Sequence, residues 1–184
     1  PTTEALNAVA AGVVRADGAL LSAFGATGSA AVAYCGFPHV PFGVLAGYVA
    51  GSHRPIVLVE HDLQTGLFGW RSTDPGGELR KTTTPIALGR KARLRLSLSF
   101  KVRPESCDAV LPLNELHSDI HLEADDVGRG TVVAETQARR YAESIRRALD
   151  CDLGDATELH IFAAIPVSVA FLLGQSLAHS AMPS

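Results

Sequence analysis

Leu159-His160-Ile161-Phe162-Ala163-Ala164-Ile165-Pro166-Val167-Ser168-Val169-Ala170-Phe171-Leu172-Leu173-Gly174 decides the fold. Its first six residues are a short apolar run of the kind buried inside parallel sheets, Ile165-Pro166 is a tight loop, and Val167 to about Ala178 predicts an apolar helix. The same order occurs earlier. Ala31-Val32-Ala33-Tyr34-Cys35 reads as a buried strand, and Gly36-Phe37-Pro38-His39-Val40-Pro41 leads into a helix from about Phe42 to Ala50. At a spacing of 128 residues, Tyr34 aligns with Phe162, Pro38 with Pro166, Leu45 with Leu173, Ala50 with Ala178, Ser52 with Ser180 and Pro55 with Pro183. The shared order of strand, Pro-containing loop and apolar helix predicts an α/β fold of two Rossmann-like halves related by a pseudo-repeat. Pro55 leads straight into the apolar strand Ile56-Val57-Leu58-Val59-Glu60, whereas only Ser184 follows Pro183. The second half is therefore expected to lack its last strand in this chain.

Working outward, residues 4 to about 24 predict an Ala-rich helix with a break near Asp17-Gly18. A strand is expected around Leu67–Trp70, and a turn at Asp74-Pro75-Gly76-Gly77. Between Arg93 and Arg103, Leu94, Leu96, Leu98, Phe100 and Val102 alternate with Arg93, Arg95, Ser97, Ser99, Lys101 and Arg103. That period of two predicts a strand with one buried face. Short strands are expected at Ala109–Leu111 and Ile120–Leu122. Thr131 is expected to cap a helix reaching Leu149, with Val133, Tyr141, Ile145 and Leu149 inward. The first half is placed at about 1–103 and the second at about 104–184.

The chain has 184 residues, 47% of them apolar, enough to bury one core. Its only Met is Met182 and it begins Pro1-Thr2-Thr3, as expected of a piece of a longer protein. No secretory pattern and no stretch nearing the roughly 18 apolar residues of a membrane span is expected, so the protein is placed in the cytoplasm, away from membrane. Cys35, Cys107 and Cys151 lack C-x-x-C spacing, which points to reduced, mostly buried thiols. The formal net charge is −3, yet nine Lys and Arg against two acids lie between Arg71 and Arg103. A single basic segment suggests a localised anion site more than a DNA-coating surface; a solvated strand face beside an acidic helix is the plain alternative.

In open parallel sheets, ligands lie at the carboxyl ends of strands, near helix starts whose free N–H groups suit anions. Two loops qualify, Gly36 to Phe42 and Ala164 to Ser168. The candidate ligand-binding residues are Phe37, Pro38, His39, Val40, Phe42, Ala164, Ile165 and Pro166, with the prolines also explicable as helix starters. Trp70 and Arg71 join them as a stacking face for a base, worth roughly 1–3 kcal/mol, beside a guanidinium for phosphate. No dinucleotide or triphosphate loop motif is present. No catalytic residue, metal ligand or cofactor is assigned: His117 and His121 stand four apart without a metalloprotease motif, and no nucleophile elbow occurs.

The stretch from Leu159 to Gly174 resembles the C-terminal signature of SAVED domains. The strand Leu94–Val102 and the helix before Leu149 fall in the family's order, so the resemblance runs from about residue 30 to the end. It implies two fused CARF-like Rossmann halves that bind a cyclic di- or trinucleotide in bacterial antiphage (CBASS) defence, with a cyclic dinucleotide favoured. It further implies a non-enzymatic sensor that assembles head to tail with copies of itself on binding ligand and activates a fused nuclease, such as an HNH type, which alone would contact DNA. Two further expectations stand beside this: a domain that cleaves its own ligand, and a ligand-independent oligomerisation module.

Overall fold

The computed structural model describes residues 2–15, 17–26, 30–36, 38–51, 56–73 and 76–178. In chain order the elements are α1 (Thr3–Val14), α2 (Ala19–Ala26), β1 (Val32–Tyr34), α3 (Val40–Ala50), β2 (Ile56–Leu58), β3 (Glu60–His61), β4 (Phe68–Gly69), β5 (Leu79–Pro85), β6 (Lys91–Ser97), α4 (Pro104–Asp108), β7 (Leu116–Ala124), α5 (Glu135–Asp152), β8 (Glu158–Ala164) and α6 (Val167–Leu177). The mixed α/β class expected from the sequence is the class observed. The expected break in the first helix is also present. A Cβ on Gly18 would overlap the carbonyls of Gly12 and Arg15, so the chain turns there on a residue that needs no side chain. Thr3–Ala26 does meet the length and apolarity of a membrane span, contrary to expectation, but it folds as helices of 12 and 8 residues.

β1 and β2 pair in parallel, Val32 with Ile56 through Tyr34 with Leu58, and α3 connects them. β3 and β4 form a short antiparallel ladder whose turn is held by Asp62, which accepts from Gln64 N–H and Thr65 Oγ1. The main sheet has the order β5-β7-β6-β8, with β6 parallel to both neighbours and β5 antiparallel to β7. A division of the chain near residue 103 would cut between the hydrogen-bonded strands β6 and β7. Residues 79–97 belong to the sheet that also contains β7 and β8.

The alternating strand departs from expectation in a second way. Leu94, Leu96 and Leu98 are buried, but so are Arg93, Arg95 and Ser97, at 1%, 9% and 0% exposure. Segment 98–112 folds back over the polar face: Val102 N–H donates to Ser97 Oγ, Arg95 Nη1 donates to Val102 O, and Arg93 pairs with Asp108. The strand stops at Ser97, leaving Phe100 exposed. No strand forms at 109–111; the chain turns there directly after α4, with Val110 and Leu111 N–H donating to Cys107 O, and buries Leu111. β5, whose sequence Leu79-Arg80-Lys81-Thr82-Thr83-Thr84-Pro85 lacks apolar alternation, was not expected. Thr131 does not cap α5: its hydroxyl donates to Asp126 O and Gly128 O, and the helix starts at Glu135, burying Tyr141, Ile145 and Leu149 as expected. Of the thiols only Cys107 is buried; Cys35 and Cys151 are exposed, and all three are free.

The two apolar helices of the repeat, α3 and α6, pack directly on each other. Both are 11 residues long, and Val40 and Val167, like Ala50 and Leu177, stand 127 residues apart. The helices therefore correspond one residue out of step with the proline alignment at 128. At this register Gly47 corresponds to Gly174 and Val44 to Phe171. A Cβ on Gly47 would strike the Phe171 backbone, and one on Gly174 would strike the Val44 carbonyl, so each helix meets the other through the equivalent residue. One turn earlier Gly43 faces Ala170, whose methyl would lie 3.1 Å from a Cβ added at Gly43. Early residue meets early residue and, at the far end, Gln175 Nε2 donates to Gly51 O at 2.6 Å. The helices thus run in the same sense, through small residues four apart that let the backbones touch.

Candidate functional site

This crossing puts both helix starts on the same side of the molecule. They open at the carboxyl ends of β1 and β8, and the Tyr34 ring at the end of β1 packs on buried Phe171 of α6, ring centroids 4.2 Å apart. At the α3 start, His39 is the exposed N-cap residue; its side chain makes no capping bond, and its carbonyl accepts from Phe42 and Gly43 N–H. Val40 and Phe42 are half-buried, and Pro38 lies 3.9 Å from the built Cβ of Gly43. Phe37, expected to contribute here, lies outside the described residues. At the α6 start, Ile165 is buried, Pro166 is the N-cap, and the Ala164 carbonyl accepts from Leu98 and Ser99 N–H. Seven of the expected site residues therefore lie at the two helix starts.

Trp70 and Arg71 are placed differently. Trp70 Nε1 donates to Leu58 O at 2.8 Å and the ring packs on the core. Arg71 donates to Gly130 O at 2.6 Å and faces Asp62 at 3.4 Å. Together with Ser72, Thr73, Glu135 and Thr136 they line an open groove of about 680 Å³ at the start of α5. Arg71 also reaches a narrow crevice, with room for little more than a water molecule, that it shares with Glu60 and His61. Both side chains have structural tasks, so neither is held in reserve for a ligand alone.

Sequence reasoning missed Glu60. Its Oε2 accepts from both the backbone N–H and the hydroxyl of Ser168, in the first turn of α6. Burial, and after it the Glu60 charge, hold the neighbouring Tyr34 hydroxyl up to about 12. The signal was present in the sequence: Glu60 is the one acid ending the apolar run Ile56-Val57-Leu58-Val59, at the carboxyl end of a parallel strand.

The basic segment is not a free anion surface. Arg71 faces Asp62, Arg80 and Lys101 pair with Glu123, Lys81 with Asp152, and Lys91 with Glu115. Arg93 and Arg95 converge on Asp119, so seven of the nine cations meet acids of this chain. Burial would push the Asp119 carboxyl up, but the two guanidiniums outweigh it and hold the carboxyl below its ordinary range. His121, whose Nε2 lies 2.9 Å from Ser97 Oγ, is pushed down by burial and then by the Arg95 charge. Among the described residues no cluster of His, Cys, Asp and Glu is arranged to hold a metal ion.

These features define a Rossmann-like α/β domain in which two strand–loop–helix units cross through α3 and α6. The chain belongs to the SAVED family: the family model described as the SMODS-associated and fused to various effectors sensor domain matches residues 19–184. Two solved structures of the Acinetobacter baumannii Cap4 SAVED/CARF-domain receptor share its fold. The receptor with the cyclic trinucleotide 3'3'3'-cAAA superposes with a TM-score of 0.59 at 18% identity, over 81% of this chain and 34% of that one. The receptor with 2'3'3'-cAAA gives 0.58 at 18%, over 82% and 33%. This chain thus spans about a third of the length of those receptors. No curated protein sequence matches it.

Proposed function

We propose that this domain is a sensor that binds a cyclic oligonucleotide in the cleft between the starts of α3 and α6. The observation that carries the reading is the same-sense glycine crossing, which sets two helix starts side by side at the carboxyl ends of β1 and β8. Paired starts suit a pseudo-symmetric ligand; in this reading Pro38, His39, Ala164 and Pro166 meet it, while buried Ile165 supports the loop from behind. Membership of a sensor-domain family and likeness to receptors solved with cyclic triadenylates support the ligand class. The family resemblance favours a cyclic dinucleotide and the solved receptors carry trinucleotides, so both belong in the test. In this reading the domain is not an enzyme. Ligand binding drives self-assembly that activates a nuclease fused to it, in cytoplasmic defence against phage.

Isothermal calorimetry against cyclic dinucleotides, 3'3'3'-cAAA and 2'3'3'-cAAA tests the reading. The expected outcome is saturable binding of at least one member, weakened tenfold or more, about 1.4 kcal/mol, when His39 is replaced by Ala. Folded protein that gives no heat with any member rules the reading out.

A further inference from the structure

The two ends of the cleft differ in charge. Neither first turn carries an acid and neither N-cap side chain makes a capping bond, so the difference comes from outside the helices. At the α6 start both donors of Ser168, itself 1% exposed, point at Glu60 Oε2, N–H at 3.0 Å and Oγ–H at 2.5 Å. Among the described residues no Lys or Arg forms an ion pair with Glu60, so its charge is answered by the helix start itself. The place where a helix of this kind would receive an anion is already filled by one.

We propose that Glu60 sets the polarity of the cleft, so that a ligand offers hydrogen-bond donors, such as a base amino group, at the α6 end and keeps its phosphates away from it. The inference rests on the cleft being a nucleotide site. A carboxylate accepts and cannot donate, and it repels a second anion at close range in a partly buried setting. Its free lone pairs remain available to a donor while Oε2 holds Ser168. The pseudo-symmetry of the two helices is thereby broken in the one respect that matters to a ligand carrying both bases and phosphates. The loops that look equivalent in sequence have opposite preferences.

Two measurements decide it. In the first, thermal unfolding of the wild type and Glu60→Ala is followed with inorganic phosphate replacing chloride at matched ionic strength. Phosphate is expected to raise the midpoint of Glu60→Ala by roughly 2–4 °C more than that of the wild type, because removing the carboxylate frees the anion position. In the second, calorimetry compares 3'3'3'-cAAA binding to the wild type and Glu60→Gln, which keeps an oxygen for Ser168 and removes the charge. A loss of tenfold or more is expected. Equal phosphate responses, or a Glu60→Gln that binds as tightly as the wild type, overturn the proposal. A wild type that binds no cyclic nucleotide defeats the function proposed above, and the phosphate comparison then decides the role of Glu60. If Glu60→Ala does not fold, the Glu60→Gln comparison decides.

Discussion

Asp119 is the residue on which most buried charge depends. Arg93 Nε and Nη2 reach it at 3.1 and 3.0 Å, Arg95 Nε and Nη2 at 3.0 and 3.1 Å, and its side chain is 8% exposed. Removing one partner of such a group leaves uncompensated charge in the interior, which costs about 3–5 kcal/mol. Urea unfolding of Asp119→Asn is expected to show that loss at neutral pH. The Asp119 carboxyl titrates lower in the folded than in the unfolded protein. Its contribution is therefore present above the unfolded carboxylate pKa and lost as pH falls through the folded one. The gap between wild type and variant should close in that acidic window; a gap independent of pH would place the stabilisation elsewhere. The alternation of Arg and Leu announced a strand, but a period of two cannot tell a face covered by solvent from one covered by a later segment. The cover, residues 98–112, begins by continuing the same alternation through Arg103, so nothing in the pattern marks where the strand ends and the cover starts, and the acids that neutralise Arg93 and Arg95 come from β7 and α4. Glu60 was visible as a charge ending an apolar run, yet its partner Ser168 lies 108 residues away.

At the scale of elements, the α3–α6 crossing holds the two halves together. Gly47 and Gly174 would each gain about 1 kcal/mol of helix propensity on replacement by Ala. The added methyl would press on the facing backbone, where neither side has a rotamer to yield. Overpacking of this kind costs typically 1–3 kcal/mol, occasionally more, so Gly174→Ala is expected to unfold at lower denaturant than the wild type. Gly43→Ala, whose new methyl would meet side chains alone, Ala170 tightly and Tyr34 and Pro38 at ordinary contact, should cost less. A Gly174→Ala as stable as the wild type would mean that the helices separate freely. Strand, loop and helix were legible in both copies because each carries a continuous apolar run. The register between copies was not, since β1 and α3 are joined by a longer loop than β8 and α6, and proline positions follow the loops. β5 was illegible for a related reason: its side chains are mostly exposed, so burial imposes no pattern on them.

For the whole molecule, the separation of basic and acidic segments along the chain is cancelled in space. Cations of β5 and β6 lie against acids of β7, α5 and the β8 start, which leaves few cations of the basic segment for an acidic face of a neighbouring copy to meet. Exposed pairs of this kind contribute little to stability, but they remove the driving force for assembly by charge alone. Light scattering of ligand-free protein is expected to give the same mass at about 50 and 500 mM salt, conditions between which screening lengths differ several-fold. A large oligomer that dissolves in salt would revive the charge-paired assembly. The glycine crossing also governs how the halves can move. A contact of backbone on backbone has no side chain to repack, which leaves rotation about the contact as the low-cost motion. Such a joint works as a lever: spreading the helix starts draws on the far ends, where Gln175 holds Gly51. Each helix is about 16 Å long over its 11 residues, so whatever wedges between the starts is felt on the opposite side of the domain.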